Sequence, residues 1–427
     1  MVAINKSDFS RYSVLQNIPL PDTKAIAARI RPEAERAVRS GHPWVYSDSI
    51  LDLSRKGRPG DIVVLFDRKN RFLAVGLLDP AGPITVRVLQ FHQPADINQS
   101  WYQSTLARAL KIRKPLNCND EGARTTGCRL VHGENDGLPG LVIDRYADSL
   151  VVKIYTSAWL PHLHSLLTAL EKLQSSERVV LRIGRGVPPA AYKSYGLQDG
   201  HILEGFPLTG PVLFSENGLT FEADLVHGQK TGFFLDQRDN RSRVEGLASG
   251  KSILNLFSYS GGFSVYAARG GARSIVSIDT CAASNAAAQR NMSRSTQFFK
   301  PVPPEHTILE KDVFTALAEM AAEQKVFDLI IADPPAFART RKQVELALKM
   351  YARLTRNCLK VLKPGGLLVQ ASCSSPVSSD DFFQTVTAAC AGAKRNLQEI
   401  ERTGHALDHP VTFSEGSYLK CLFARVY

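Results

Sequence analysis

The sequence predicts an α/β protein in which a doubly wound parallel sheet forms the C-terminal half, preceded by a small β-barrel and a central α+β domain. From about residue 215 onward, short apolar strands alternate with segments of helix length, which is typical of a parallel sheet covered by helices. Before that point, turn residues separate the apolar runs at short intervals, which favours antiparallel strands.

The length and composition agree with a folded protein of several domains. The chain has 427 residues, of which 44% are hydrophobic and 22% charged, so it can build more than one core. We predict an N-terminal arm over residues 1–24, a β-barrel over 25–95, an α+β domain over 96–212 and the parallel sheet over 213–427.

The chain shows no signal for export or membrane insertion. Its N-terminus has no apolar core of the signal-peptide type, and polar residues and glycines interrupt the longest uncharged stretch, residues 252–268. The seven cysteines include no CxxC pair, which argues against a disulfide framework and a zinc ribbon. We therefore expect a cytoplasmic protein with no metal and no membrane partner.

Basic residues outnumber acidic ones. Lys and Arg total 52 against 41 Asp and Glu, and the isoelectric point is near 9.3. A polyanionic partner such as nucleic acid is consistent with this surplus, and so is an ordinary basic enzyme. The charges are spread along the chain, so any nucleic-acid surface must be assembled by folding.

The first two folded segments are expected to be built mainly from short strands. In the barrel, apolar runs alternate with turn residues at 41–46, 60–67, 72–76 and 84–89. In the α+β domain we predict a basic helix over residues 101–114 and two strands around a Gly-rich turn over 129–144. A third strand over 150–155 and a second helix over 161–173 follow.

The parallel sheet is predicted from five apolar runs and one closing strand. The five runs are residues 253–257, 274–279, 307–310, 327–333 and 367–371. The closing strand, residues 417–427, is expected to be antiparallel to them.

Ligands of doubly wound sheets bind where the strands end, so the residues at those ends are informative. Gly261 and Gly262 follow the first strand and allow a close approach of the backbone to a ligand. Asp279 follows the second strand and can accept hydrogen bonds from both hydroxyls of a ribose. Asp312 follows the third and can bind an adenine amino group, while Asp333 ends the fourth.

This set of strand ends favours S-adenosylmethionine over a nicotinamide dinucleotide. A dehydrogenase needs neither an Asp-Pro-Pro sequence after the fourth strand nor a closing antiparallel strand. The candidate cofactor residues here are Asn255, Phe257, Tyr259, Gly261, Phe263, Asp279, Asp312, Asp333 and Pro334.

The segment from Asp333 to Phe337 resembles the sequence with which many methyltransferases hold a planar base beside the methyl donor. Enzymes that methylate exocyclic amines carry an aromatic residue directly after the prolines, whereas this chain has Ala336. Amine methylation is therefore disfavoured. Just beyond, Arg339, Arg341 and Lys342 can reach phosphates around a target base, or they form a solvated helix start.

Cys373 follows the fifth strand and is the candidate nucleophile. A thiolate that adds to C6 of a pyrimidine turns C5 into a nucleophile able to accept a methyl group. Alternatively, Cys373 is an inert small residue, as we expect for Cys118, Cys128, Cys281, Cys358, Cys390 and Cys421.

Several strings of residues resemble one known family, the ribosomal RNA large subunit methyltransferase I enzymes. The resemblance runs from about residue 28 to the C-terminus, and its strings are 42–45, 133–140, 227–238, 255–263, 333–335 and 372–374. It implies a PUA domain, a small EEHEE domain and a Rossmann-like methyltransferase domain. It also implies formation of 5-methylcytosine in 23S ribosomal RNA, with S-adenosylmethionine as cofactor and RNA as partner.

The resemblance also implies that residues 227–238 line the cofactor pocket, with Phe233, Asp236 and Arg238 as candidates. Alternatively, this segment is an ordinary hairpin. Ala336 stands where the family commonly has lysine, and residues 181–186 differ from the family pattern, so the target base is open.

Two other functions are compatible with the sequence. One is methylation of another base, such as guanine at N7, which needs no cysteine. The other is an inactive RNA-binding or ribosome-assembly protein, against which the carboxylates at 279, 312 and 333 count. Whether naked RNA or a ribosomal particle is the substrate, and whether the chain forms a homodimer, are left open by the sequence.

Overall fold

The computed structural model describes residues 11–116, 124–299 and 302–427. Cys118 and the first ten residues of the expected N-terminal arm lie outside these ranges. The described chain divides into two compact units. Unit 1 holds the residues up to Phe214 together with Ala223–Phe233 and Asp408–Phe413, and unit 2 holds Ser215–Glu222, Phe234–Leu407 and Ser414–Tyr427.

Unit 1 begins with a six-stranded sheet of strand order β2-β6-β5-β4-β1-β3. Strands β1 and β4 are parallel, and the other neighbours are antiparallel. Ile26, Ala28 and Ile30 are buried while the alternate residues of β1 are exposed, because successive side chains of a strand point to opposite faces. The elements are β1 (Ile26–Ile30), α1 (Pro32–Arg39), β2 (Trp44–Tyr46), β3 (Ile50–Leu53), β4 (Ile62–Phe66), β5 (Phe72–Leu78) and β6 (Ile84–Phe91).

A second sheet follows, of strand order β11-β10-β9-β8-β7, and its core contains apolar residues of α2 and α3. Tyr12 and Leu15, from the segment expected to be an arm, are buried in the same core. The elements are α2 (Gln99–Arg113), β7 (Gly127–His132), β8 (Leu141–Tyr146), β9 (Ser149–Ile154), α3 (Leu163–Glu171), β10 (Arg178–Ile183), α4 (Ala190–Lys193) and β11 (His201–Glu204).

A buried polar network ties residues 408–413 into unit 1. Arg113 pairs with Asp136 at 2.6 Å and Arg129 with Asp144 at 2.8 Å. The backbone N–H of Arg129 donates to Asp408 Oδ2 (2.8 Å), and Arg113 Nη2 donates to the Asp408 carbonyl (2.9 Å). Buried charges need such complete pairing, so Asp408 is an integral part of this unit.

Unit 2 contains a sheet of seven strands in the order β16-β15-β14-β17-β18-β20-β19. A hairpin, β12 (Val212–Glu216) and β13 (Leu219–Ala223), precedes it. The strands and helices that follow are α5 (Arg238–Leu247), β14 (Ser252–Leu256), α6 (Gly262–Arg269), β15 (Ser274–Asp279), α7 (Ala282–Arg294), β16 (Glu305–Glu310), α8 (Val313–Ala322), β17 (Phe327–Ala332), α9 (Val344–Val361), β18 (Leu362–Ser372), α10 (Ser379–Gly392), β19 (Leu397–Thr403) and β20 (Lys420–Val426).

The direction of the strands confirms the predicted architecture. Strands β14 to β18 are parallel, and β20 lies antiparallel between β18 and β19. Chain order reverses between β14 and β17, which creates the crevice where ligands of such sheets bind. In the described part of the chain, no helix has the length and apolarity needed to cross a bilayer.

Candidate active site

The strand register brings the predicted site residues to one edge of the seven-stranded sheet. Leu256 pairs with Ile278 on one side and with Ala332 on the other, and Ala332 pairs in turn with Gln370. The residues that follow these strand ends therefore share one edge. This edge carries the candidate cofactor loop, the Asp-Pro-Pro sequence and Cys373.

The loop after β14 has an unusual backbone. Phe257 and Tyr259 have φ angles of 57° and 46°, in the left-handed region that costs a residue with a side chain about 1–2 kcal/mol. Hydrogen bonds from neighbouring elements hold the loop: among them, Tyr259 N donates to Asp279 Oδ2 (2.9 Å), and Ser258 N donates to the Ile278 carbonyl (3.0 Å). Strain of this kind is typical of ligand sites, where the surroundings fix the backbone.

Both carboxylate oxygens of Asp279 accept hydrogen bonds that hold the side chain in place. Besides the bond from Tyr259, its Oδ1 accepts from the backbone N–H of Cys281 (3.0 Å), just before α7. Asn285 Nδ2 donates to the Asp279 carbonyl oxygen (3.1 Å). The carboxylate predicted to bind a ribose thus has a fixed orientation at the strand edge.

Position 261 requires glycine for two reasons, its backbone conformation and the lack of room for a side chain. Its φ is 75°, and a Cβ added there would lie 2.9 Å from the Cβ and 3.2 Å from the Cα of Ala288. The loop and α7 therefore approach each other closely, with glycine at the contact. Phe263, also a candidate, lies buried in the first turn of α6.

Replacing Gly261 with alanine is expected to destabilise the fold by about 2–4 kcal/mol, since strain in the backbone adds to overpacking. Thermal unfolding measured by calorimetry would show it. Gly246→Ala is the matched control, because Gly246 lies within α5 and, among the residues that the structure describes, nothing beyond its own helix lies within 4 Å of the added Cβ. That change should stabilise the protein by about 0.5–1 kcal/mol. Equal melting temperatures for Gly261→Ala and the parent would contradict the close contact.

Asn255 takes part in a buried chain of hydrogen bonds across the sheet. Its Nδ2 donates to Ser264 Oγ (2.8 Å), Ser264 Oγ and Ser277 Oγ lie 2.8 Å apart, and Ser277 Oγ lies 2.8 Å from His306 Nε2. Burial lowers the pKa of His306 to about 4, so this row of hydrogen-bonded side chains carries no charge at neutral pH. Asn255 thus fixes α6, which follows the loop, against β15 and β16.

Polar atoms near the loop fit a nucleoside ligand. The hydroxyls of Ser258 and Ser260 and the amide oxygen of Asn255 are buried, and none has a hydrogen-bond partner within the described ranges. Buried polar groups are nearly always paired, so such atoms in one loop and its preceding strand indicate a place for a polar ligand. With Asp279, they suit the ribose and amino-acid groups of S-adenosylmethionine.

Of the residues predicted from the string 227–238, Asp236 and Arg238 lie in unit 2 and Phe233 in unit 1. Tyr418 Oη donates to Asp236 Oδ2 (2.8 Å), and Arg238 is buried at the start of α5. The Phe233 ring packs edge to face on Phe214, with ring centres 5.1 Å apart. Their cofactor roles stay predictions.

Asp312, expected to bind adenine, also caps a helix. Its Oδ1 accepts from the backbone N–H of Thr315 (3.0 Å) and from its hydroxyl (3.2 Å), which satisfies the first turn of α8. The position at a strand end predicts a carboxylate that binds the cofactor, but a carboxylate directly before a helix can also cap that helix. Its role towards adenine stays a prediction.

Cys373 lies beside the Asp-Pro-Pro sequence. Its Sγ is 3.7 Å from the Pro334 carbonyl oxygen, so the thiol and the candidate base-holding segment are in contact. The side chain is partly exposed, unlike the buried thiols of Cys358, Cys390 and Cys421, whose pKa values burial raises. A partly exposed sulfur at the strand edge can reach a substrate.

Tyr351 of α9 organises the backbone around Cys373. Its phenol oxygen accepts from Ser372 Oγ (2.8 Å) and shares a hydrogen bond with Ser374 Oγ (2.8 Å). Ser374 Oγ in turn accepts from Ala338 N (3.2 Å), beyond the two prolines. Burial raises the pKa of Tyr351, so this phenol is neutral. The two residues flanking Cys373 are therefore anchored.

Lys420 is a site residue that the sequence reasoning missed. It lies at the start of β20 opposite Ser372, is 2% exposed, and its Nζ donates to the carbonyl oxygens of Ser374 (2.8 Å) and Tyr418 (3.1 Å). Nothing in a terminal apolar run points to an active site. The pairing of β18 with β20 brings the two segments together.

The basic residues after the Asp-Pro-Pro sequence are exposed. Arg339, Arg341 and Lys342 lie on the segment that leads into α9, where Thr340 and Gln343 form a capping box. Both sequence-based alternatives, phosphate contact and a solvated helix start, agree with this placement. Their role in binding RNA stays a prediction.

The fold and the site define an S-adenosylmethionine-dependent methyltransferase. A family model with that description matches residues 128–423, and a PUA-like domain matches residues 28–91. The chain belongs to the ribosomal RNA large subunit methyltransferase I family, as its relatives show. The predicted family, fold class and cofactor are thereby confirmed.

The relatives match along nearly their whole length. The ribosomal RNA large subunit methyltransferase of Deinococcus radiodurans is 41% identical over 412 residues, covering 96% of this chain and 99% of that protein. The ribosomal RNA large subunit methyltransferase I of Shewanella denitrificans is 36% identical over 417 residues, covering 94% and 100%.

Solved structures show the same fold. A SAM-dependent methyltransferase from Streptococcus mutans superposes with a TM-score of 0.78 at 22% identity, covering 93% of this chain and 99% of its own. The crystal structure of a methyltransferase complexed with SAH gives the same TM-score and identity, covering 94% of this chain and 99% of its own.

Proposed function

We propose that this protein transfers a methyl group from S-adenosylmethionine to large-subunit ribosomal RNA and forms 5-methylcytosine through a covalent adduct with Cys373. The observation that carries the proposal is the contact of Cys373 Sγ with the Pro334 carbonyl at 3.7 Å. It joins a candidate nucleophile to a candidate base-holding segment. The names of the relatives support RNA of the large ribosomal subunit as the substrate.

The chemistry follows from the difficulty of methylating an aromatic carbon. The Cys373 thiolate adds to C6 of cytosine, and the electron pair of the C5–C6 double bond makes C5 a nucleophile. S-adenosylmethionine, when bound, supplies the electrophilic methyl group. After C5 has taken that group, its proton passes to water, the C6–sulfur bond breaks, and the electron pair returns to Cys373.

The remaining candidates then have separate tasks. Asp279 binds the ribose, while the loop containing Phe257 and Tyr259 surrounds the amino-acid end of the cofactor. Asp333 positions the base edge against the Cys373 sulfur. The exposed Arg339 and its basic neighbours contact phosphates around the target nucleotide. A cytoplasmic setting keeps the thiol reduced.

Labelled S-adenosylmethionine and unmodified large-subunit RNA test the proposal directly. We expect label in the RNA, and 5-methylcytosine as the labelled nucleoside in mass spectrometry. Naked RNA and ribosomal particles should be compared, because either can present the target. Label in another nucleoside, such as 7-methylguanosine, would overturn the thiol mechanism. No transfer to either substrate, with cofactor binding demonstrated, would overturn the RNA assignment.

A further inference from the structure

Lys420 is a buried amine that the proposed mechanism does not use. Its Nζ donates to two neutral carbonyl oxygens, those of Ser374 and Tyr418, and an ammonium has three N–H donors. Across residues 11–116, 124–299 and 302–427, no carboxylate forms an ion pair with it. A buried ammonium with only neutral partners is costly, so a reason is needed for a lysine at this position.

The proximity of Cys373 explains why a buried lysine is present at this position. Lys420 bonds to the carbonyl of the residue after Cys373 and pairs across the sheet with the residue before it. Burial lowers the pKa of Lys420 to about 8, and the charge of the Cys373 thiolate opposes that shift. Lys420 therefore still carries its proton at pH 7, in electrostatic contact with the sulfur.

Two other titratable groups on elements next to the thiol are a phenol and a carboxyl group. Tyr351 of α9 is a phenol whose pKa burial raises, with a further rise from the charge of Cys373. Asp333 follows β17 and is acidic. Lys420 is the cation among these three groups, and an opposite charge nearby stabilises the thiolate.

We propose that Lys420 is a positioning residue that holds Cys373 as a thiolate. The inference rests on the proposed function, because it concerns the nucleophile of that reaction. The ammonium acts at two steps without transferring a proton. It stabilises the sulfur before attack on C6, and it stabilises the same sulfur when the C6–sulfur bond breaks and the electron pair returns. The thiol proton is lost to water.

The titration of Cys373 tests this inference without RNA. The full chain is treated with iodoacetamide over a range of pH, and alkylation of the Cys373 peptide is followed by mass spectrometry. We expect a midpoint below the ordinary cysteine pKa of about 8.5 in the parent. Lys420→Met should raise it by about one to two units and slow alkylation at pH 7 about tenfold or more. Lys420→Arg, which keeps the charge, should restore the low midpoint.

Cys281 serves as the internal reference, because it is exposed and its pKa is lowered by hydrogen bonds from Ser284 at the start of α7. Its midpoint should be the same in all variants. An unchanged Cys373 midpoint in a Lys420→Met protein that still binds S-adenosylmethionine would overturn the inference. A parent midpoint at or above the ordinary value would do so without any variant, even if Lys420→Met does not fold.

The outcome is separable from that of the proposed function. If the labelled product proves to be another nucleoside while the titration shifts as expected, the 5-methylcytosine reaction fails and the pairing of Lys420 with Cys373 stands. If 5-methylcytosine forms and the Cys373 midpoint is the same in the parent and in Lys420→Met, the reaction stands and the pairing of Lys420 with Cys373 fails.

Discussion

Replacing Cys373 with alanine is expected to lower the rate of methyl transfer to RNA at least about a thousandfold, or about 4 kcal/mol of transition-state free energy. The reason is that no other group in the proposed mechanism can form the bond to C6, and C5 is a poor nucleophile without it. Single-turnover transfer of labelled methyl groups to large-subunit RNA measures the loss. Affinity for S-adenosylmethionine should be unchanged.

Cys281→Ala is the matched control, since it removes an exposed thiol of lowered pKa that has no part in the proposed mechanism and keeps the backbone N–H that donates to Asp279. It should retain the parent rate. Full activity of Cys373→Ala would rule out covalent catalysis and leave methylation of another base as the better hypothesis. Cys373→Ser provides a second test. This variant should also be nearly inactive, because a serine hydroxyl is a weaker nucleophile than a thiolate.

Replacing Asp279 with alanine should weaken the binding of S-adenosylmethionine about a hundredfold, or about 3 kcal/mol. The change removes the acceptor for the backbone N–H groups of Tyr259 and Cys281, and it also removes the proposed ribose ligand. The strained loop after β14 then loses a bond that holds its left-handed residues. Isothermal titration calorimetry with the cofactor measures the change.

Asp328→Asn provides the comparison for this prediction. Asp328 lies near the other end of β17, where it accepts hydrogen bonds from Ser252 and Lys363, and its pKa is lowered to about 2. Its loss should reduce stability and leave cofactor affinity intact. If the two variants bind the cofactor equally well, Asp279 is not a ligand and does not hold the loop in its binding conformation.

The central parallel strands of unit 2, β14, β17 and β18, are predictable because they are buried on both faces along most of their length. Leu254, Ile330 and Leu368 belong to continuous apolar runs, and such runs are visible without knowledge of the partner strand. Strand β19 was missed for the opposite reason. Its residues, LQEIERT, are mostly exposed at the sheet edge, so they carry no apolar pattern.

The placement of the candidate residues is predictable where it depends on strand ends, and is not predictable where it depends on strand pairing. Asp279, Asp333 and Cys373 each follow an apolar run directly, so their position at one edge follows from the parallel topology. Lys420 comes to this edge through the register of β18 with β20, which no single segment encodes. The helix-capping bond of Asp312 is local instead, because an Asp directly before an apolar helix is itself a capping signal.

The place of Asp408 in unit 1 has a consequence for biosynthesis. A ribosome makes the chain from the N-terminus, and domains that are continuous in sequence can fold as they emerge. Unit 1 cannot be completed in that order, because Asp408, which accepts hydrogen bonds from the Arg129 backbone and the Arg113 side chain, is made after nearly all of unit 2. At a synthesis rate of about 5–20 residues per second, the barrel and the α+β domain wait on the order of ten seconds or longer for it. Nascent chains arrested before residue 408 should therefore be cleaved more readily by protease in unit 1 than the finished protein.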